Sequence, residues 1–245
     1  MIVVEDVHFR YDEADDTPFA LQGISLTIPD GQFLAIIGPN GSGKSTLGHC
    51  LNGLLQPSDG RIAVDGLDTH DSELTWEIHQ RVGMIFQNPD NQLVSTTVER
   101  ELAFGLENLG MPSVEIQDRV DQALERFQLG DYRTHAPHRL SGGQKQRLAI
   151  AAVVSMQPRY LICDEPTALL DPQGRTDTLS LLVELQRNHS IAIIYITQFP
   201  EEVLDADRVI IMHRGKIAEE APPEALISDI DILQKYDLDI PPTVR

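Results

Sequence analysis

Long apolar runs, basic residues and cysteines are all scarce in this chain of 245 residues. No stretch approaches the roughly 20 consecutive apolar residues that a bilayer crossing takes, which excludes a membrane-spanning helix. The amino end, MIVVEDVHFRY, lacks the basic start and long apolar centre of a secretory signal, so the chain is expected to stay in the cytosol. Lysine and arginine number 19 against 38 aspartates and glutamates, a formal charge of −19 that repels nucleic-acid phosphates and anionic lipid alike. A nucleic-acid partner is therefore not expected. Cys50 and Cys163 sit in apolar surroundings and read as small buried side chains rather than a disulfide or a metal site. His135 and His138 have near-ligand spacing in HAPH but no cysteine or acidic co-ligand, so no metal site is expected there. Internal repeats, low-complexity tracts and long linkers are also missing.

The length suffices for one large domain or two smaller ones, and 41% apolar residues places the chain among globular proteins. The first part reads as strand-rich: IVVEDVHFRY, FALQGISLTI and RIAVDG are separated by turn signals at Pro29-Asp30-Gly31 and Asp65-Gly66. From about residue 96 to 128 the period becomes helical. Val98, Leu102, Leu106 and Leu109 share one face, and Ile116, Val120, Leu124 and Phe127 another, with Gly110 and Pro112 between the two helices. Short apolar strands then return, RVIIMHRGKIAEE reads as a hairpin turning at Arg214-Gly215, and the last stretch from Ala221 predicts a short helical extension whose docking stays open.

FLAIIGPNGSGKST holds an apolar strand, then Gly38, Pro39, Asn40, Gly41, Ser42, Gly43, Lys44 and Ser45 in the pattern of a phosphate loop, then a helix pattern from Thr46. Glycines let backbone N–H groups converge on phosphate oxygens, and the helix amino end adds a favourable dipole. Lys44 can neutralise the β and γ phosphates and Ser45 can ligate Mg²⁺.

Three more apolar strands stop on polar side chains. RYLICDEPT delivers Asp164 and Glu165 side by side, a costly pair unless a cation or positive network is present. The natural division gives Asp164 to Mg²⁺ and Glu165 to an attacking water. VGMIFQN ends on Gln87, whose amide can bridge Mg²⁺ or its water, although a glutamine leaving a strand is usually just solvated. IAIIYITQFPEE ends on Thr197 and Gln198 and breaks at Pro200. Such endings place chemistry at the carboxyl edge of a sheet.

RLSGGQKQRLAIAAVVSM carries Ser141, Gly142, Gly143 and Gln144 at the start of a long helix pattern, a second place where bare N–H groups can meet an anion. The phosphate loop, LSGGQKQR, LICDEPTALLDP and the Gln87 strand, in this order, resemble the nucleotide-binding subunit of ATP-binding cassette (ABC) transporters over residues 1–220. The resemblance implies an α/β fold of the P-loop NTPase class, with a mostly parallel core sheet, an antiparallel β subdomain and a helical subdomain inserted at about 88–157. Residues 221–245 would begin a carboxyl-terminal helical extension. It also implies ATP and Mg²⁺ as ligands, and a head-to-tail dimer in which Ser141 and Gly143 serve the partner's ATP. Tyr11 matches the aromatic residue that stacks on adenine, with core filling as the alternative. Asp171 matches an aspartate lying across the dimer interface, although Ala168 replaces a serine often found there.

QNPDNQLVSTTVERELAFG resembles the corresponding segment of energy-coupling factor (ECF) transporter ATPases. That branch implies import of a vitamin or transition-metal ion, a second ATPase chain, a membrane coupling protein and a substrate-binding membrane protein. The chain would then sit peripherally on the cytoplasmic face of the cell membrane. Asp90, Glu99 and Glu101 could receive basic groups of the coupling protein, or form a solvated helix face. At Gln198 the family usually has a histidine that touches the γ-phosphate. Glutamine can donate to phosphate but cannot become a cation or shuttle a proton. Either Gln198 substitutes adequately, or the chain forms the slower site of a paralogue heterodimer, the preferred reading over a homodimer. The alternatives are a soluble ABC ATPase unconnected with transport, which usually carries a coiled coil or paired cassettes, and an ATP-binding switch subunit with little hydrolysis.

Overall fold

The computed structural model describes residues 1–12 and 18–240. The amino-terminal part builds β1 (Ile2–Phe9), β2 (Leu21–Ile28), β3 (Phe33–Ile37), α1 (Lys44–Asn52), β4 (Asp59–Val64), β5 (Leu67–Asp68), α2 (Thr75–Arg81) and β6 (Val82–Ile85). Three helices follow, α3 (Val98–Asn108), α4 (Ser113–Arg126) and α5 (Gly142–Ser155). The chain then returns to β7 (Tyr160–Asp164), α6 (Pro172–His189), β8 (Ala192–Thr197), β9 (Arg208–His213) and β10 (Lys216–Ala221), and closes with α7 (Pro223–Ser228) and α8 (Ile230–Lys235).

Two sheets result, one ordered β2-β1-β4-β5 and antiparallel, the other ordered β10-β9-β3-β8-β7-β6. In the second, β9, β3, β8, β7 and β6 run parallel and β10 returns antiparallel, through a tight turn with both Arg214 and Gly215 at positive φ. β3, β7 and β8 are buried at every residue, which explains their unbroken apolar character. Successive side chains leave on opposite faces. Leu34, Ile36, Ile162, Ile194 and Ile196 join Leu47 and Leu51 of α1 and the inner face of the antiparallel sheet. Phe33, Ala35, Ile37, Leu161, Ile193 and Tyr195 enter a second core closed by α3 to α8. Cys50 lies in the first core and Cys163 in the second; burial pushes the Cys50 thiol up to about 12 and raises that of Cys163 as well.

The helical stripes form as their spacing predicts. Val98, Leu102 and Leu106 of α3 are buried, as are Val120 and Leu124 of α4 with Phe127 behind them, whereas Leu109 and Ile116 are only half-buried. α5 also packs onto β6. A Cβ on Gly83 would stand 2.3 Å from Val153 Cγ1, so this close approach requires glycine. The residues of α3, α4 and α5 thus share the second core with the sheet. The carboxyl-terminal extension docks on that core too. Leu226, Ile227, Leu233, Tyr236 and Leu238 are buried there, and the Tyr236 hydroxyl donates to Glu219 Oε1 at 2.9 Å. Residues 241–245 of the expected extension lie outside the described residues.

A polar seam holds the two sheets in register. Arg159, just before β7, donates to Asp65 and to Asp30 at 2.8 Å each, and the Tyr160 hydroxyl donates to both carboxylates. Both aspartates come from turns flagged in the sequence.

Candidate active site

Four strands end level with one another. Ile37 of β3 pairs with Thr197 of β8, Asp164 of β7 with Ile196, and Ile85 of β6 with Cys163. The residues following β3, β7, β6 and β8 therefore emerge along one sheet edge: the loop 38–43, Glu165, Gln87 and Gln198.

The loop passes directly into α1, with Gly43 as an N-cap that contributes no side chain and leaves the first backbone N–H groups of the helix open to an anion. Lys44 is buried. Its Nζ donates back to the carbonyls of Gly38 at 2.8 Å and Pro39 at 3.1 Å. Burial lowers its basicity, while Glu165 and Asp164 counter that loss. Ser42 is 2% exposed, and among the described residues its Oγ has no hydrogen-bond partner. A buried, unpaired hydroxyl beside a helix amino end fits a phosphate ligand. Tyr11 overturns the core-filling alternative: it lies just past β1, is 67% exposed, and its hydroxyl pairs with Thr46 Oγ1 at 2.9 Å.

Ser45 Oγ donates to Asp164 Oδ1 at 2.9 Å, a hydroxyl and carboxylate of the hard oxygen type that suits Mg²⁺. Burial raises the pKa of Asp164, with the Ser45 hydrogen bond, His49 and Lys44 acting against it. Glu165 sits at φ 46 with its N–H held by the Ile196 carbonyl at 2.9 Å. Its side-chain Oε2 accepts from Gln87 Nε2 at 2.9 Å, bringing β6 and β7 to one point. Burial likewise raises the Glu165 pKa; Lys44 opposes the rise, and Asp164 and Glu202 reinforce it. Gln198 is half-buried, and among the described residues its amide makes no hydrogen bond within the chain.

These raised pKa values predict a trade between stability and binding. A carboxylate that is harder to ionise when folded costs stability as pH rises through its folded pKa, and that cost is absent below its unfolded pKa. Asp164→Asn is accordingly expected to raise the melting temperature of the nucleotide-free chain at pH 7 and to remove most of the further rise produced by MgATP. Thermal melts with and without MgATP decide it; a lower melting temperature without nucleotide would show that the charge is not the liability argued here.

Ser141, Gly142, Gly143 and Gln144 assemble elsewhere. Ser141 caps α5, its Oγ accepting from Gln144 N at 3.3 Å while Gln144 Oε1 accepts from Ser141 N at 2.9 Å. This cap uses neither the Ser141 hydroxyl proton nor the protons on Gln144 Nε2. These residues line an open cleft of about 730 Å³ with Leu169, Leu170 and Asp171, and none of residues 38–46 lines it. A Cβ at Gly143 would meet nothing within 4 Å, so an incoming group can approach its backbone closely. Asp171 caps α6, accepting from Gly174 N at 2.8 Å, at the rim of the same cleft.

Of the acidic trio read as receivers of a partner's basic groups or as a solvated helix face, Glu101 fits neither, while Glu99 and Asp90 are ion-paired within the chain with side chains 35% and 58% exposed. Glu101 is 5% exposed, and its Oε2 accepts from the N–H groups of Val94 and Ser95 at 3.0 and 2.7 Å. Glu99 accepts from Arg133, and Asp90 is paired with Lys145 at 2.7 Å. Each carboxylate finds its counterpart where α3, α4 and α5 and their connecting turns meet. Sequence reasoning also missed Glu202, which accepts from the hydroxyls of Thr167, Tyr195 and Thr197 beneath the site. Its neighbour Pro200 marked a break but gave no sign of burial.

A family model described as ABC transporter matches residues 21–168. The energy-coupling factor transporter ATP-binding protein EcfA1 of Clostridium novyi is 47% identical over 98% of this chain and 86% of its own length. The cobalt import ATP-binding protein CbiO of Syntrophus aciditrophicus is 46% identical over 98% of this chain and 85% of its own. Among solved structures, cbiO1 from Clostridium perfringens, described as part of the ABC transporter complex cbiONQ, has a TM-score of 0.85 at 38% identity, covering 96% of this chain and 93% of that one. A dimeric ATP-binding cassette in a post-hydrolysis state bound to ADP and Pi has a TM-score of 0.82 at 27% identity, covering 91% and 99%.

Proposed function

The chain belongs to the ABC transporter family, and on that premise we propose that it binds and hydrolyses MgATP to energise an ECF-type importer of a micronutrient, a vitamin or a transition-metal ion. The relatives named for energy-coupling factor transport and cobalt import support that branch. The observation that carries the rest is the separation of two anion-seeking surfaces. The loop 38–46 and the strand ends form one; Ser141, Gly142 and Gly143 form another in a cleft that the loop does not line. A single chain leaves its second surface unused, and a head-to-tail pair employs both. The dimeric cassette bound to ADP and Pi has this fold over 91% of the chain.

In this reading Tyr11 stacks on adenine, the loop N–H groups, Lys44 and Thr46 hold the phosphates, and Ser45, Asp164 and Gln87 face the Mg²⁺ carried by the substrate. Glu165 takes the proton of the attacking water, Gln198 donates to the γ-phosphate, and Ser141 to Gln144 complete the partner's site. Among the described residues no helix is long and apolar enough to cross a membrane. Membrane attachment then comes through a coupling protein and a substrate-binding membrane protein, with this chain peripheral on the cytoplasmic face. The 88–157 insertion is the proposed helical subdomain of that cassette, and the residues from 221 belong to the proposed dimer-supporting extension.

The experiment is purification of the tagged chain from membranes, with identification of what accompanies it and an ATPase assay on the eluate. Recovery of a second cassette chain and a membrane coupling protein with ATPase activity is expected. A soluble homodimer with ATPase activity would leave the hydrolysis standing and remove the transporter. Within the assembled complex, Gln198→His is expected to raise the turnover several-fold, below the ~10²-fold that one whole donor to developing charge is worth. Unchanged ATPase and uptake rates would mean that Gln198 sets no limit and would remove the motive for a paralogue partner.

A further inference from the structure

Glu202 is a carboxylate 6% exposed, one turn beyond Gln198. A buried carboxyl group has to be satisfied by its neighbours. Three hydroxyls converge on it: Thr167 on Oε1 at 2.8 Å, and Tyr195 and Thr197 on Oε2 at 2.8 and 2.7 Å. Thr167, Tyr195 and Thr197 are themselves at most 1% exposed. The nearest guanidinium, Arg175 Nη1, lies 3.8 Å from Oε1.

What these neighbours hold is informative. Thr197 Oγ1 also accepts from the N–H of Phe199 at 3.1 Å, so both residues flanking Gln198 are tied to the carboxylate, one directly and one through the Thr197 hydroxyl. Thr167 opens the loop to Asp171, and its carbonyl accepts from Leu170 N at 3.0 Å. Arg175 lies over the Phe199 ring at 4.5 Å and donates from Nε to the Leu170 carbonyl at 3.3 Å. The loop that lines the cleft beside Ser141 and the strand end that presents Gln198 are thus joined at one buried group.

We propose that Glu202 is a positioning residue that couples the loop Thr167–Asp171, facing the partner chain, to Gln198 at the chain's own phosphate site. The inference rests on the proposed ATPase function. A hydrogen-bonded network of buried groups has few alternative arrangements, so a shift of the loop on contact with the partner is passed to Gln198 instead of being absorbed.

The test uses the full chain assembled with its partner cassette and membrane subunits. Glu202→Gln keeps the shape but cannot accept all three hydroxyls. It is expected to lower kcat about 10-fold, as loss of positioning does, with KM for MgATP within about twofold. Combined with Gln198→Ala it should lower kcat no further than Gln198→Ala alone. Losses that multiply in the double variant, or a KM that rises as kcat falls, would overturn the coupling. Amide hydrogen exchange reads the same link without hydrolysis. Glu202→Gln should speed exchange at Phe199 and Leu170 together, and a rise at one alone overturns the proposal. Should Glu202→Gln fail to fold, Thr167→Val removes the hydroxyl that joins the loop to Glu202 and to Tyr195, and is still expected to speed exchange at Phe199, with which Thr167 shares no hydrogen bond; an unchanged Phe199 rate decides against it. A wild-type complex that binds MgATP without turning it over would refute the ATPase reading, while the exchange result would still decide the coupling.

Discussion

Glu165→Gln is expected to lower ATP hydrolysis by the assembled complex on the order of 10³-fold while leaving MgATP bound, the loss typical of removing a positioned general base. The geometry separates the two effects. In the proposed site phosphate would be met by the loop 38–43, Lys44 and the start of α1, none of which uses the Glu165 carboxylate as a hydrogen-bond partner. Glu165 instead leaves the end of β7, is held by the Ile196 carbonyl through its N–H, and accepts from Gln87 at 2.9 Å. Burial makes its carboxylate a better proton acceptor than one in water, and Lys44 keeps the ionised form accessible. An amide in place of the carboxylate would retain the shape and lose the base. Single-turnover hydrolysis together with equilibrium binding of a fluorescent ATP analogue measures both quantities. Activity within tenfold of wild type would remove Glu165 from the role, and a parallel loss of binding would place it in the phosphate cradle instead.

What the sequence made legible here was local. The phosphate loop lies within one short stretch, and Asp164, Gln87 and Gln198 each announced themselves as a polar group ending an apolar run. That the four endings share an edge follows from parallel pairing of β3, β8, β7 and β6, with registers that place the strand ends level. Non-local carboxylates were the failures. Glu101 reads as exposed because acidic residues are mostly solvated, yet it accepts from the N–H groups of Val94 and Ser95 where the chain turns into α3. Glu202 depends on Thr167, 35 residues away, and on Tyr195 from inside a strand that looked wholly apolar. A glutamate's burial is decided by where distant hydroxyls and guanidinium groups converge, and no periodicity of the glutamate's own segment records that. The cleft beside Ser141 sits between these cases: its N–H groups were legible at the start of α5, while its second wall, Leu169 to Asp171, required the fold.

The second large effect is expected at Gly38, where the reason is space. A Cβ there would stand 2.2 Å from the Met212 carbonyl oxygen of β9 and 2.7 Å from Ser42 Oγ. Met212 is buried in the adjacent parallel strand and cannot withdraw without breaking the pairing of β3 with β9. The loop has to move instead, and the Gly38 carbonyl that receives Lys44 Nζ moves with it. Gly38→Ala is therefore expected to weaken MgATP binding by about 10²-fold or more, the scale of a site misplaced by about 1 Å, and to destabilise the chain by about 1–3 kcal/mol through overpacking. Gly41 supplies the contrast within the same loop. It also has positive φ, at 76°, but its Cβ would meet nothing within 4 Å. Gly41→Ala should then carry only the local backbone strain, about 1 kcal/mol, and keep most of the affinity. Titration calorimetry with MgATP and thermal melts of both variants distinguish the effects. Equal losses at the two positions would show that left-handed backbone, and not the wall formed by β9, is what the loop requires of its glycines.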